Sequence, residues 1–329
     1  MLGLCVCLSA CTVSDVSDIE KLIDQTAGEL QKKETVLSNQ EMFPAGNSVS
    51  DWVAMTLAFS GRKDAYNDYL HHLREYVGET YEEEGYLHRI KATEYHRIAL
   101  TMLALGGNPD SVEYNGRVID LIADGTYAFH AGTPGMQGTN GLIYALLTLD
   151  AMDYPIPTDA VYTRELLVEE LLELQQSDGG IGLDQSLGGD IDITAMAIQA
   201  LAPYAQQPEV KNAIDCALAW LSGYMTENCT FVYYGDENVE SSAQVILALC
   251  ALGIDPEETE LFTQGERTIL DGMNDFRMKN GLYKHTKSEE ETNVMSTYQA
   301  LLALEAVLAL RTESRWIFDL KDYTLPKSF

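Results

Sequence analysis

The chain has 329 residues, 46% of them hydrophobic and 22% charged, which is enough for one large core and excludes a disordered chain. Its formal net charge of −30 repels phosphate backbones and anionic headgroups, so nucleic acid is a poor partner. Six cysteines, three of them within the first eleven residues, give neither a disulfide framework nor a close-paired zinc site.

The chain opens on an apolar, uncharged run from Met1 to Cys11. That run is too short to span a bilayer and reads as the end of a signal peptide. A polar stretch, Thr12 to Asp18, then suits a short tether. Beyond it, apolar residues recur at three-to-four spacing, the helical period, and strand signals are almost absent. Six segments rich in Ala and Leu, opening near Asp51, Glu94, Asn140, Thr194, Ser242 and Ser296, are apolar on nearly every side and must be buried on every side. They recur roughly every 45 to 55 residues. Amphipathic helices are expected between them at 62–77, 109–123, 162–176, 208–224 and 258–276, with 15–36 supplying a sixth.

The alternation predicts an all-α fold, an (α/α)6 toroid of six inner and six outer helices, with an open solenoid as the competing architecture. The expected organisation is a signal remnant over 1–11, a tether and N-terminal helix over 12–44, the toroid over 45–310 and a tail over 311–329. In such a ring all inner helices start at one end, and their free N–H groups face a shared mouth. That mouth is expected to carry Asp51, Glu94, His96, Arg97, Asn140, Asp192, Thr194, Glu240, Ser242, Gln244, Asn293 and Gln299. Tyr144, Tyr233, Tyr234, Tyr283 and Tyr298 stand near the same starts and are candidate aromatic lining. A glycine-rich loop, Gly132 to Gly138, is placed to close over a ligand.

Three stretches carry resemblances. Leu8-Ser9-Ala10-Cys11 resembles the bacterial lipobox, in which the cysteine is diacylated and becomes the new N-terminus. This implies a bacterial cell-surface lipoprotein, anchored through Cys11 without a spanning helix. Leu171 to Gly182 is similar to a Gln-and-Trp turn of terpenoid cyclases, lacking the Trp. Asp190-Ile191-Asp192-Ile193-Thr194-Ala195 resembles the Asp-x-Asp-Asp-Thr-Ala box of class II terpenoid cyclases, with Ile193 in place of its last Asp. Over about 45–310 the chain resembles the terpenoid cyclase and protein prenyltransferase toroids, above all the bacterial prenyltransferase/squalene-oxidase-repeat surface proteins.

The resemblance implies either a carrier or an enzyme. As a carrier or scaffold, the protein would bind a small molecule at the mouth through Glu94, His96, Arg97, Asn140, Thr194, Glu240, Gln244 and Gln299. The cobalamin carriers share the fold, so a cobalamin-type ligand is one candidate, with His96 or His285 as axial ligand. Those carriers cover the ligand with a β-rich domain, which here would come from a partner protein. As a class II cyclase, the protein would use Asp192 as general acid, with Asp190 raising its pKa. Capping of the fourth inner helix accounts for both carboxylates more simply. The zinc ligands of the prenyltransferases fall near Glu240, Ser242 and Met295, which lack a thiolate or imidazole, so no metal is expected. Paired carboxylates of a glycosidase at the mouth are a further alternative.

Overall fold

The computed structural model describes residues 14–32, 36–233 and 235–325. The proposed lipidation residue Cys11 lies outside them. Six apolar helices form the inner wall: α2 (Ser48–Phe59), α4 (Ala92–Ala104), α6 (Thr139–Ala151), α8 (Ile191–Leu201), α10 (Val239–Ala251) and α12 (Val294–Glu313). Each packs on the next, and α12 packs back on α2. That last contact closes the ring and excludes an open solenoid. The remaining helices are α1 (Val16–Leu30), α3 (Tyr66–Glu84), α5 (Leu121–Gly125), α7 (Arg164–Glu173), α9 (Pro208–Tyr224) and α11 (Ile269–Asn274). They form the outer layer, with α1 against α12. The architecture is an α/α-toroid.

Composition explains the two layers. Ala, Leu, Ile and Val fill α6, α8 and α10, whose side chains are buried almost throughout. An outer helix such as α3 buries Tyr66, Tyr69, Leu70, Leu73 and Val77 along one stripe and gives its other face to water. Although α12 is long and apolar enough to cross a membrane by composition alone, here it is a core helix held between α1, α2 and α10.

Two outer helices are far shorter than the periodicity predicts. Most of 109–123 is a hairpin, β1 (Val112–Tyr114) and β2 (Arg117–Ile119), followed by the five-residue α5. The span 258–276 likewise holds β5 (Thr263–Gln264) and β6 (Arg267–Thr268) before the six-residue α11. A third hairpin, β3 (Phe231–Tyr233) with β4 (Asp236–Asn238), precedes α10. The reason is turn chemistry. Asn115 and Gly116 both take positive φ, 47° and 77°, as a two-residue type I′ hairpin requires. Gly265 opens the second hairpin's loop at φ 63°.

Helix entry is set by short polar caps. Asn47, Asp190, Asn238 and Asn293 each accept backbone N–H bonds at the starts of α2, α8, α10 and α12. At the far end of the barrel, Ser314 adopts a left-handed conformation that stops α12 and turns the chain back under the ring. Residues of this turn close the floor, with Ile317, Phe318 and Leu320 buried and Leu320 N–H bonded to Ala151 O at 2.9 Å.

Candidate functional site

The inner helices leave a pocket that starts at the mouth and runs down the bore. Its volume is 220 Å³. By position along the helices it has three levels. Asn140 and Asp192 stand in the first turns of α6 and α8. Trp52, Tyr144, Met196, Gln244, Tyr298 and Gln299 form the middle. Gln199, Leu247 and Leu302 lie below them, over Phe318 from the floor. A second lobe of 180 Å³ shares Trp52, Asn140 and Tyr144 and extends to Ser48, Thr93, Glu94 and Arg97.

Aromatic packing shapes the middle level. The rings of Trp52 and Tyr298 lie nearly parallel, 9° apart in plane and 6.2 Å between centroids, and Tyr144 meets Trp52 edge-on at 6.1 Å. Opposite them runs a chain of amides. Gln199 Nε2 donates to Gln244 Oε1 at 3.0 Å, and Gln244 Nε2 donates to Gln299 Oε1 at 3.0 Å. Three successive inner helices are thus joined by amides that also face the pocket.

The two carboxylates of the Asp-x-Asp segment divide their work. Asp190 is the cap: its side chain accepts from Ile193 N–H at 3.0 Å. Asp192 does not cap. It lines the pocket, and its Oδ1 is buried with no hydrogen-bond partner among the described residues. Burial pushes its carboxyl up to about 6; Ser241 pulls it down in part, while the Asp190 and Glu240 carboxylates push it further up. Asn140 Oδ1 is the second buried polar atom of this pocket without a partner among the described residues.

The other expected site residues separate into two groups. Arg97 and Glu94 line the second lobe, where Arg97 Nη1 donates to Glu94 Oε2 at 2.8 Å. Gln244 and Gln299 line the main pocket. His96, Thr194 and Glu240 do not line either lobe. His96 is fully buried, and its Nε2 bonds Gly125 O at 2.6 Å, so it ties α4 to α5. Burial lowers it to about 4, leaving a neutral ring. Thr194 clamps the preceding loop instead, with its hydroxyl bonded to both N–H and C=O of Ile181 at 2.9 and 3.1 Å. Glu240 has both oxygens engaged, one by Ser296 and one by His285 Nδ1 at 2.7 Å.

Further expectations are corrected nearby. Asp51 is buried against Arg97, and Ser242 is buried with a hydroxyl that has no partner among the described residues. Asn293 caps α12. Tyr283 is buried, with its hydroxyl bonded to Asn274 at 2.7 Å, and Tyr233 and Tyr234 have no described side chains. The 132–138 loop is packed down: Gln137 Nε2 bonds Thr93 Oγ1 at 2.9 Å, and a Cβ on Gly141 would lie 1.8 Å from Pro134 O. In this structure it packs on the starts of α4 and α6 and lines neither lobe. Among the described residues no group of three His, Cys, Asp or Glu side chains is arranged to hold a metal.

Sequence reasoning missed Trp52, Met196, Gln199, Leu247, Leu302 and Phe318 as pocket lining. On an all-round apolar helix the bore-facing stripe has no contrast with the rest. Only the intrusive Gln199 and Gln244 carried a signal, as polar residues with no solvent to face. Phe318 comes from the tail and carried none.

No family model matches this sequence, and no curated protein matches it either. Solved structures do match in fold. An unsaturated glucuronyl hydrolase from Streptococcus agalactiae aligns with a TM-score of 0.61 at 11% identity, covering 96% of this chain and 94% of that one. Protein geranylgeranyltransferase-I of Candida albicans, complexed with GGPP, aligns at 0.57 and 12% identity, covering 92% and 93%. A type II terpene cyclase from Scytonema aligns at 0.53 and 13% identity, covering 90% and 98%. These similarities fix the α/α-toroid fold. They do not choose among its functions.

Proposed function

We propose that this protein binds a small ligand bearing hydroxyl or amide groups in the mouth of its toroid, as an extracytoplasmic binding protein held at a bacterial membrane by lipidated Cys11. The observation that carries the reading is that two residues lining one pocket, Asn140 and Asp192, each hold a buried side-chain oxygen with no hydrogen-bond partner among the described residues. Leaving such an atom unpaired costs about 1–3 kcal/mol, and a ligand that bonds both removes that cost. The stacked Trp52 and Tyr298 rings offer apolar faces beside the Gln199–Gln244–Gln299 amides, a combination that fits a ring with polar edges. A corrinoid exceeds either lobe, so it would rest on the rim and need a covering domain from a partner.

A thermal-shift screen tests this reading. The panel holds monosaccharides and N-acetylated sugars, oligosaccharides, corrinoids and polyprenyl diphosphates. A ligand well above its Kd stabilises the fold by a few kcal/mol through mass action. The expected result is a shift with sugars or amides that Asn140→Ala abolishes. A sugar shift untouched by that substitution sinks the reading. Lipidation is tested by mass spectrometry of the membrane fraction, which should find diacylglycerol on Cys11; a soluble mature form starting elsewhere refutes it.

The second reading is acid catalysis of the class II cyclase kind, with Asp192 as proton donor. It is favoured by one observation: Asp192 is free of capping duty and faces the pocket. Against it stand the amide oxygens of the middle level, which would capture a carbocation. Product formation from squalene or geranylgeranyl diphosphate, lost in Asp192→Asn, would reverse the order.

A further inference from the structure

Among the described residues, Phe318 alone lines both the mouth pocket and a second cavity beneath the ring. The lower cavity, 370 Å³, is lined by the ends of α6 and α10, the segment after α8, and the tail residues Trp316, Asp319 and Lys321. Phe318 therefore stands at the boundary of the two cavities. That side chain is fixed from below. Trp316 and Phe59 meet it edge-on at 5.4 and 6.4 Å. Arg315 Nη1 gathers the carbonyls of Trp316, Ile317 and Asp319 at 3.2, 3.3 and 3.1 Å, which holds the tail in one turn. Above Phe318 the lower level is lined by Leu247, Leu302 and Gln199, whose amide nitrogen is already bonded to Gln244, so an incoming chain meets mostly apolar surface there and a more polar lining at the mouth.

We propose that Phe318 sets ligand length: a polar head occupies the mouth, an apolar tail points down the bore, and Phe318 stops it. This deepens the binding reading above and rests on it for the head, but the length limit is measured with the smallest head, a single hydroxyl. The probes are 1-alkanols from butanol to dodecanol, bound to the full-length protein and followed by calorimetry. Each methylene that enters an apolar bore tightens binding about fourfold. In the wild type this gain should stop at a short chain. In Phe318→Ala it should continue for several more carbons, into the lower cavity, and longer alkanols should bind at least tenfold tighter than to the wild type. Phe318→Leu, which preserves most of the packing of the tail, should move the stopping point in the same direction by less, and serves if the alanine variant fails to fold. An unchanged stopping point in folded variants, or no alkanol binding to any form, overturns the proposal. Sugar binding at the mouth is measured separately with methyl glucoside, so a failed head-group reading is not confused with a failed length limit.

Discussion

Arg97 and Asp51 form a buried ion pair that joins the starts of α4 and α2, with Arg97 Nε donating to Asp51 Oδ2 at 2.9 Å. Tyr69 and the Gly46 N–H also donate to Asp51 Oδ1, at 2.7 and 3.0 Å, and Arg97 reaches Gly46 O at 2.8 Å. Burial pushes the Asp51 carboxyl up, and Arg97 with its fellow donors pulls it back. Removing one partner leaves a buried charge. Arg97→Met is expected to destabilise by about 3–5 kcal/mol. Asp51→Asn in that background should recover a large part of the loss, as urea melts of the four-member cycle would measure. Additive losses would contradict a coupled pair.

Asp192 makes stability depend on pH in a defined window. Its folded value of about 6 lies above the ordinary 3.8. The folded state therefore holds more protons between those values, and stability falls as pH rises from about 4 to 6, then levels off. Asp192→Asn removes the penalty. The variant should match the wild type near pH 4 and exceed it by roughly 2–3 kcal/mol above pH 7. A difference that does not change with pH would place the ionisation elsewhere.

Glu305 is buried in the middle of α12, and neither carboxyl oxygen has a hydrogen-bond partner among the described residues. Burial pushes its carboxyl well above the ordinary carboxylate value. Glu305→Met keeps the length and removes both orphan oxygens. It should raise stability by about 1–3 kcal/mol, read as an increase in Tm. A fall in Tm would mean that the oxygens have partners in solution.

Trp220 from α9 lies across Gly180 and Gly189, where added Cβ atoms would come within 2.7 Å of its ring. Its Nε1 donates to Asp178 at 3.1 Å. An indole from the next outer helix thus covers the loop that follows α7. Trp220→Ala should cost about 3–5 kcal/mol. Gly189→Ala should also destabilise, since its methyl would meet both the indole, at 2.7 Å, and the Cα of Gly180, at 2.9 Å; a neutral effect there would mean that the turn yields.

Most of the ring was legible because burial on all sides leaves a strong mark: the runs around Ala54, Ala145, Ala197 and Ala248 have no polar face. The two shortened outer helices were not, because the turns at Asn115-Gly116 and Gly265 break segments whose apolar residues still keep the helical period. The mouth was legible only in part. Position in the first turn places a residue near the end of the barrel, but not on the bore side. Hence Asp192 and Asn140 face the pocket, while His96 and Thr194, at similar depth, turn away into packing.

Ser14 is pinned at the floor end of the toroid. Its N–H and hydroxyl both bond Glu257 at 3.0 Å, and Arg311 from the last turn of α12 holds its carbonyl at 2.9 Å. A chain that reaches Ser14 from Cys11 has three residues of slack, about 10 Å at full extension. If Cys11 carries a lipid, the floor is moored against the bilayer and the mouth looks outward, into the surroundings. Such a protein presents its opening to whatever diffuses past the cell, and the surface it keeps closest to the membrane is the one already stoppered by its own tail.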